Sequence, residues 1–169
     1  MVWVAQGLDG GEQSLRFAAV DDQGRATVSE MEIATVDPNG GWIQALVGST
    51  TGGERLVIWW TQSAVNEPHG RWLSAVGAAS GPFSLEGLVD AAIPTSTIPD
   101  VLVPLADGTL ALRVDGIWRG TIAPGDHGLK PVPSWLQGAD NLELTPVAGR
   151  RGATPSIRRA SPWERARPW

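Results

Sequence analysis

The chain has 169 residues, with 21 Gly, 13 Pro, nine Trp, no Tyr, no Cys and a formal net charge of −5. The absence of Cys excludes disulfides, thiolate metal sites and a cysteine nucleophile. No segment approaches the roughly 20 consecutive apolar residues that a membrane-spanning helix needs. The many turn residues and few helical patterns favour an all-β fold, and the length suits one domain with its own core.

The first predicted strand is Val2–Ala5, and Ser14–Val20 and Arg25–Ile33 follow as a hairpin around Asp22-Gln23-Gly24. A second group of predicted strands comprises Trp42–Gly48, Leu56–Trp60, Arg71–Val76 and Pro82–Leu88. A third group comprises Val101–Leu105, Thr109–Val114, Ile117–Ile122 and Leu129–Val132. Asp-Gly pairs between apolar runs, at 107–108 and 115–116, are the strongest hairpin signals in the chain.

These groups predict three repeated four-stranded antiparallel units. The turn glycines Gly24, Gly81 and Gly128 recur roughly 50 residues apart, which fits a unit of four strands with variable loops. We equate Val2–Ala5 with the second strand of the other units, so the first unit lacks its first strand. Asn141–Val147 is expected to supply that strand and to close the first unit. Short helical turns are expected at Ser84–Ala92 and Pro133–Gly138.

The segments Gly52–Trp60, Arg71–Val76 and Gly81–Leu85 together resemble one blade of a β-propeller. Similar blades occur in bacterial proteins with sialidase-like or lectin-like repeats, and the resemblance covers residues 1–148. Asp22-Gln23-Gly24 and Asp126-His127-Gly128 keep the Asp-x-Gly of the Asp-box found in such repeats. A sialidase relationship would imply a Tyr nucleophile, which this chain lacks.

Three blades are too few for a ring, since propellers typically close with four to eight. Two chains could pair to make six blades. A β-trefoil or a β-prism also fits twelve strands in three units, and a sandwich or an irregular β fold is a further alternative. The predicted domains are therefore an all-β repeat body, 1–148, and a C-terminal arm, 149–169.

Catalytic chemistry has little support in the sequence. The two histidines, His69 and His127, both fall in predicted turns, and no nucleophile elbow is present. Asp residues before Gly serve turns, and no run of carboxylates has the density of a calcium loop. We expect no enzymatic activity, no cofactor and no metal.

The nine Trp side chains in a chain without Tyr are the principal aromatic feature. Trp59 and Trp60 are adjacent in one predicted strand and should therefore point to opposite faces. Trp72 and Trp118 hold similar places in their units, each at the second position of its predicted third strand. Such positions serve a repeated core, or, in the alternative reading, Trp60, Trp72 and Trp118 form stacking platforms for a carbohydrate.

The C-terminal arm has a charge opposite to that of the body. Residues 150–169 hold six Arg and one Glu, net +5, whereas the other 149 residues have a net charge of −10. Arg and Trp are the residue types that most often dominate interface energies. The expected partner-binding residues are Arg150, Arg151, Arg158, Arg159, Trp163, Arg165, Arg167 and Trp169. A solvated disordered tail is one alternative, and nucleic-acid binding through the arm is another.

The sequence therefore predicts a non-enzymatic structural or interaction subunit of a larger assembly, with the arm docked on a neighbouring subunit. A bacteriophage virion protein of a tail, capsid decoration or head–tail joint is the concrete hypothesis. The alternative is a lectin-like β-repeat module that binds carbohydrate. The N-terminus lacks the pattern of a signal peptide, so we expect the protein to be cytoplasmic as synthesised, or part of a virion.

Overall fold

A computed structural model describes residues 1–6, 13–36, 43–61, 67–88 and 100–137. This part of the chain is all-β and contains no helix. Its strands are β1 (Val2–Gln6), β2 (Gln13–Val20), β3 (Ala26–Val36), β4 (Ile43–Ser49), β5 (Arg55–Thr61), β6 (His69–Leu73), β7 (Phe83–Ser84), β8 (Val101–Pro104), β9 (Leu110–Val114) and β10 (Ile117–Ile122).

The strands form three open antiparallel sheets, each of which follows chain order. Sheet 1 is β1-β2-β3, sheet 2 is β4-β5-β6-β7 and sheet 3 is β8-β9-β10. Sheet 2 has the predicted four strands. Sheets 1 and 3 have three, so the repeated four-stranded unit is not confirmed.

Sheet 2 is packed on both faces, because β5 is apolar at five consecutive positions, 56–60, that are all buried. Leu56, Ile58 and Trp60 belong to the core between sheets 2 and 3. Val57 and Trp59 belong to the core between sheets 1 and 2. The predicted opposite orientation of Trp59 and Trp60 is confirmed, and both rings are buried.

The far face of sheet 3 has a smaller core of its own. Leu105, Ala111 and Trp118 form this cluster with Leu136, which lies in residues 131–137, hereafter the strap. The strap contains one hydrogen-bonded turn, in which the amide of Leu136 donates to the carbonyl of Pro133 at 2.9 Å. It therefore covers sheet 3 on the side away from sheet 2.

The hairpin turns predicted from Asp-Gly pairs are confirmed. Gly108 has a φ of 85°, and Asp115 and Gly116 have φ values of 54° and 78°. Two successive left-handed residues are the requirement of a type I′ turn, which Asp-Gly satisfies. Asp100 holds this turn by accepting a 2.7 Å hydrogen bond from the amide of Asp115.

The predicted equivalence of β1 with the second strands of the other units is not confirmed. Among the described residues β1 is an edge strand, and it lies against β4, the first strand of sheet 2. The strands that the sequence pattern equates with β1, namely β5 and β9, are central in their sheets. The strand expected at Asn141–Val147 lies outside the described residues.

Two other predicted strands are shorter than expected. Pro82–Leu88 contributes only the two-residue β7, and Leu129–Val132 contributes a single bridge between Lys130 and Thr121. The helical turn expected from Ser84 does not form in its described part, 84–88.

Candidate functional site

The three Trp residues proposed as ligand platforms are all buried. Trp60 is 1% exposed, and Trp72 and Trp118 are each 6% exposed. Trp60 and Trp72 pack between sheets 2 and 3, and Trp118 packs beneath the strap. These rings therefore act as packing elements in the described structure.

Trp72 and Trp118 are not at equivalent positions, contrary to the expectation from the predicted strands. Trp72 is the fourth residue of β6 and pairs with Leu56 near the start of β5. Trp118 is the second residue of β10 and pairs with Arg113 near the end of β9. The two rings thus lie toward opposite ends of their sheets, so they do not form a repeated pair of pockets.

Each of these indoles has a different polar environment. Trp72 Nε1 donates a 2.9 Å hydrogen bond to the backbone carbonyl of Asp126. Trp118 lies beside the guanidinium carbon of Arg113, 5.3 Å from the ring centroid, which is a cation–π contact. The Nε1 atoms of Trp60 and Trp118 have no hydrogen-bond acceptor among the described residues.

Trp135 is an exposed aromatic residue that the sequence analysis did not single out. It lies in the strap and is 56% exposed, next to Leu136, which is 1% exposed. A Pro-flanked turn predicted only a short local structure there. The strap covers the cluster around Trp118 through Leu136, and no local sequence pattern predicts this contact between distant parts of the chain.

The described histidines and carboxylates have structural contacts. His127 stacks on Phe83 with ring centroids 4.4 Å apart, and His69 lies 5.7 Å from the Trp59 ring. Asp126 pairs with Lys130 at 2.8 Å, and that pair holds the pKa of Asp126 below its ordinary value. Within the described ranges, no group of three or more His, Asp or Glu could hold a metal ion.

The outer face of sheet 1, which points away from sheet 2, has several charged side chains. Arg16 lies opposite Trp3 on β1 and Glu32 on β3, so the three side chains form a row on one face. Arg16 also forms a 2.7 Å ion pair with Glu30. Leu15 and Phe17, the chain neighbours of Arg16, point in the opposite direction, into the core with sheet 2.

The outer edge of β3 adjoins this face and is irregular. Three register shifts interrupt the pairing of β3 with β2, which bulge and twist the strand. Arg71 of β6 reaches this strand and donates to the carbonyls of Glu32 and Ile33, at 3.2 and 2.7 Å. The edge thus binds a guanidinium group through backbone carbonyls.

The arm residues proposed as partner-binding, 150–169, lie outside the described residues. The strap shows where the chain leaves the described body, since Leu136 is buried on the outer side of sheet 3. The outer face of sheet 1 is at the opposite end of the stack, because sheet 2 lies between the two.

Comparison with known proteins gives no assignment. The chain matches no family model, no curated protein and no solved structure. In the described part of the chain, no helix has the length and hydropathy to cross a membrane.

Proposed function

We propose that the protein is a non-enzymatic structural subunit of a larger assembly, with a bacteriophage virion as the concrete setting, and that its C-terminal arm binds a neighbouring copy. The observation that carries the proposal is the opposition of charge within one chain. The arm has a net charge of +5 and the remainder has −10. Opposite charges of this size favour association between copies and fix its orientation.

The described body also supports this proposal. Its strands fill three packed cores, and the Trp side chains at 59, 60, 72 and 118 contribute to them. A body packed in this way can serve as a building block, and a charged arm can join one block to the next. Trp163 and Trp169 would add buried aromatic area to the charged contact.

The test is the native mass of the full-length protein by light scattering, at low and high salt. We expect an oligomer at low salt that dissociates at high salt, because salt weakens the attraction between exposed charges, with a screening length of about 10 Å at 0.1 M. The variant Arg158→Glu with Arg159→Glu should be monomeric at low salt. A wild-type protein that is monomeric at every salt concentration and at high protein concentration would overturn the proposal.

The carbohydrate-binding alternative receives no support from its candidate residues. A stacking platform needs one open ring face, whereas Trp60, Trp72 and Trp118 are buried in packing contacts. Trp135 is exposed, but it is a single ring with no described repeat.

A further inference from the structure

We propose that the outer face of sheet 1, together with the adjoining outer edge of β3, receives the arm of a neighbouring copy. This inference rests on the proposed function, and it assigns the receiving surface for residues 150–169. The occupant is the basic arm of a second copy, and the resulting contact runs head to tail.

The first argument concerns the face itself. None of the three described core clusters includes side chains from the outer face of sheet 1. This face has the row Trp3, Arg16 and Glu32, with Glu30 beside it, and both glutamates are exposed. It therefore offers two exposed carboxylates, of which Glu30 already pairs with Arg16, and one partly exposed indole ring. These groups suit arginine and tryptophan side chains.

The second argument concerns the edge. The three register shifts in β3 make its edge a poor template for another strand, because a regular ladder cannot form along a bulged strand. The carbonyls of Glu32 and Ile33 nevertheless bind the guanidinium of Arg71 within the same molecule. The edge is therefore suited to arginine side chains more than to strand addition.

The third argument concerns the arm. Its six Arg residues supply guanidinium donors, and its net charge of +5 opposes the −10 of the remainder of the chain. The arm and the receiving surface thus match in chemistry, since guanidinium groups donate hydrogen bonds to the carboxylate and carbonyl oxygens that this surface presents.

The fourth argument concerns direction. The chain leaves the described body from the strap on sheet 3, whereas the proposed receiving face is on sheet 1, at the other end of the stack. A contact between the arm of one copy and sheet 1 of the next therefore uses two different surfaces. Such heterologous contacts generate rings or filaments rather than isologous dimers.

The test uses full-length variants with reversed charges. The face variant, Glu30→Lys with Glu32→Lys, should weaken self-association at low salt at least about tenfold. The control variant, Glu67→Lys with Glu86→Lys, changes the net charge equally at exposed positions on sheet 2 or beside it, and should assemble like the wild type. Thermal unfolding would confirm that each variant is folded.

A mixing experiment separates direct contact from general charge effects. The face variant alone and the arm variant Arg158→Glu with Arg159→Glu alone should each remain monomeric. An equimolar mixture should assemble, because each copy then meets a face and an arm of opposite charge. Monomers that remain monomeric in the mixture would overturn the proposed pairing.

The variants distinguish a wrong assignment of the receiving face from a wrong proposed function. If the face variant assembles normally while the arm variant does not, the arm still joins copies and the assignment of sheet 1 is wrong. If the wild type itself never assembles, the proposed function fails as well.

Discussion

Trp72 Nε1 donates a 2.9 Å hydrogen bond to the carbonyl of Asp126, and this bond joins sheet 2 to the turn that follows β10 of sheet 3. The donor residue is buried among side chains from both sheets. The contact therefore acts together with the backbone hydrogen bonds between Glu86 and residues 127–129 in joining the two layers. It gives the clearest means of testing the packing of sheets 2 and 3.

Trp72→Phe should lower the free energy of unfolding by about 1 kcal/mol more than Trp60→Phe does. Both substitutions remove the same volume from the same core, but Trp60 Nε1 has no acceptor among the described residues. Urea unfolding of the two variants measures the difference. Equal losses would show that the Asp126 bond contributes nothing measurable.

Gly48→Ala should destabilise the fold by about 1–3 kcal/mol, because the added methyl group overpacks the junction of β4 and β8. An ideal Cβ at Gly48 would lie 2.5 Å from Leu102 Cβ. Gly81→Ala is the matched control, since a Cβ there meets nothing within 4 Å. Chemical denaturation should show a loss for the first variant only.

The same junction permits a second check. Combining Gly48→Ala with Leu102→Gly should cost less than the sum of the two single substitutions, because removing the Leu102 Cβ makes room for the new methyl group. Strict additivity in the double-mutant cycle would argue against a direct contact.

Asp100→Ala should cost about 1–3 kcal/mol, because the carboxylate accepts bonds from two separate elements. It receives the amide of Asp115 at 2.7 Å and Gln44 Nε2 at 3.0 Å, which links the type I′ turn to β4. Asp100→Asn keeps one acceptor oxygen and should lose less. An alanine at the exposed Asp22 serves as the control, and unfolding curves that are alike for Asp22→Ala and Asp100→Ala would contradict this role.

Stability should fall in acid as the carboxylates in turns become protonated. The backbone amide and the hydroxyl of Thr109 bind Asp107 and hold its pKa below the ordinary value. A lowered pKa in the folded state adds stability above the unfolded pKa, near 4 for Asp, and that stability is lost as the pH falls through the folded pKa. Asp107→Asn should flatten this part of the profile of melting temperature against pH. An unchanged acid slope in the variant would show that Asp107 does not contribute.

The turns could be predicted from the sequence because their chemistry is local. Asp107-Gly108 and Asp115-Gly116 combine residues that tolerate a positive φ, and apolar runs on both sides fix the strands. The sequence predicts that β6 begins at Arg71 rather than at His69, because Gly70 resembles a turn residue. It lies within the strand, where the ring of Phe83 comes within 2.5 Å of the position of an added Cβ.

The relationships across sheets could not be predicted in the same way. The alternation of Trp59 and Trp60 predicted two faces, but only the stacking of the sheets shows that each face adjoins a different neighbour. The sequence predicts equivalent positions for Trp72 and Trp118 because each is the second residue of a predicted third strand. Their pairing registers place them toward opposite ends of their sheets. The sequence predicts only a short helical turn at Pro133–Gly138, since the contact of the strap with Trp118 joins distant parts of the chain.

The burial of β5 on both faces has a consequence for how the protein opens. Ile58 and Val57 are adjacent, yet each belongs to a different core. Separating either neighbouring sheet would expose one face of β5 to water and would weaken the packing on its other face. Local opening should therefore begin at the outer strands, and the amide protons of β5 should be among the slowest to exchange with solvent.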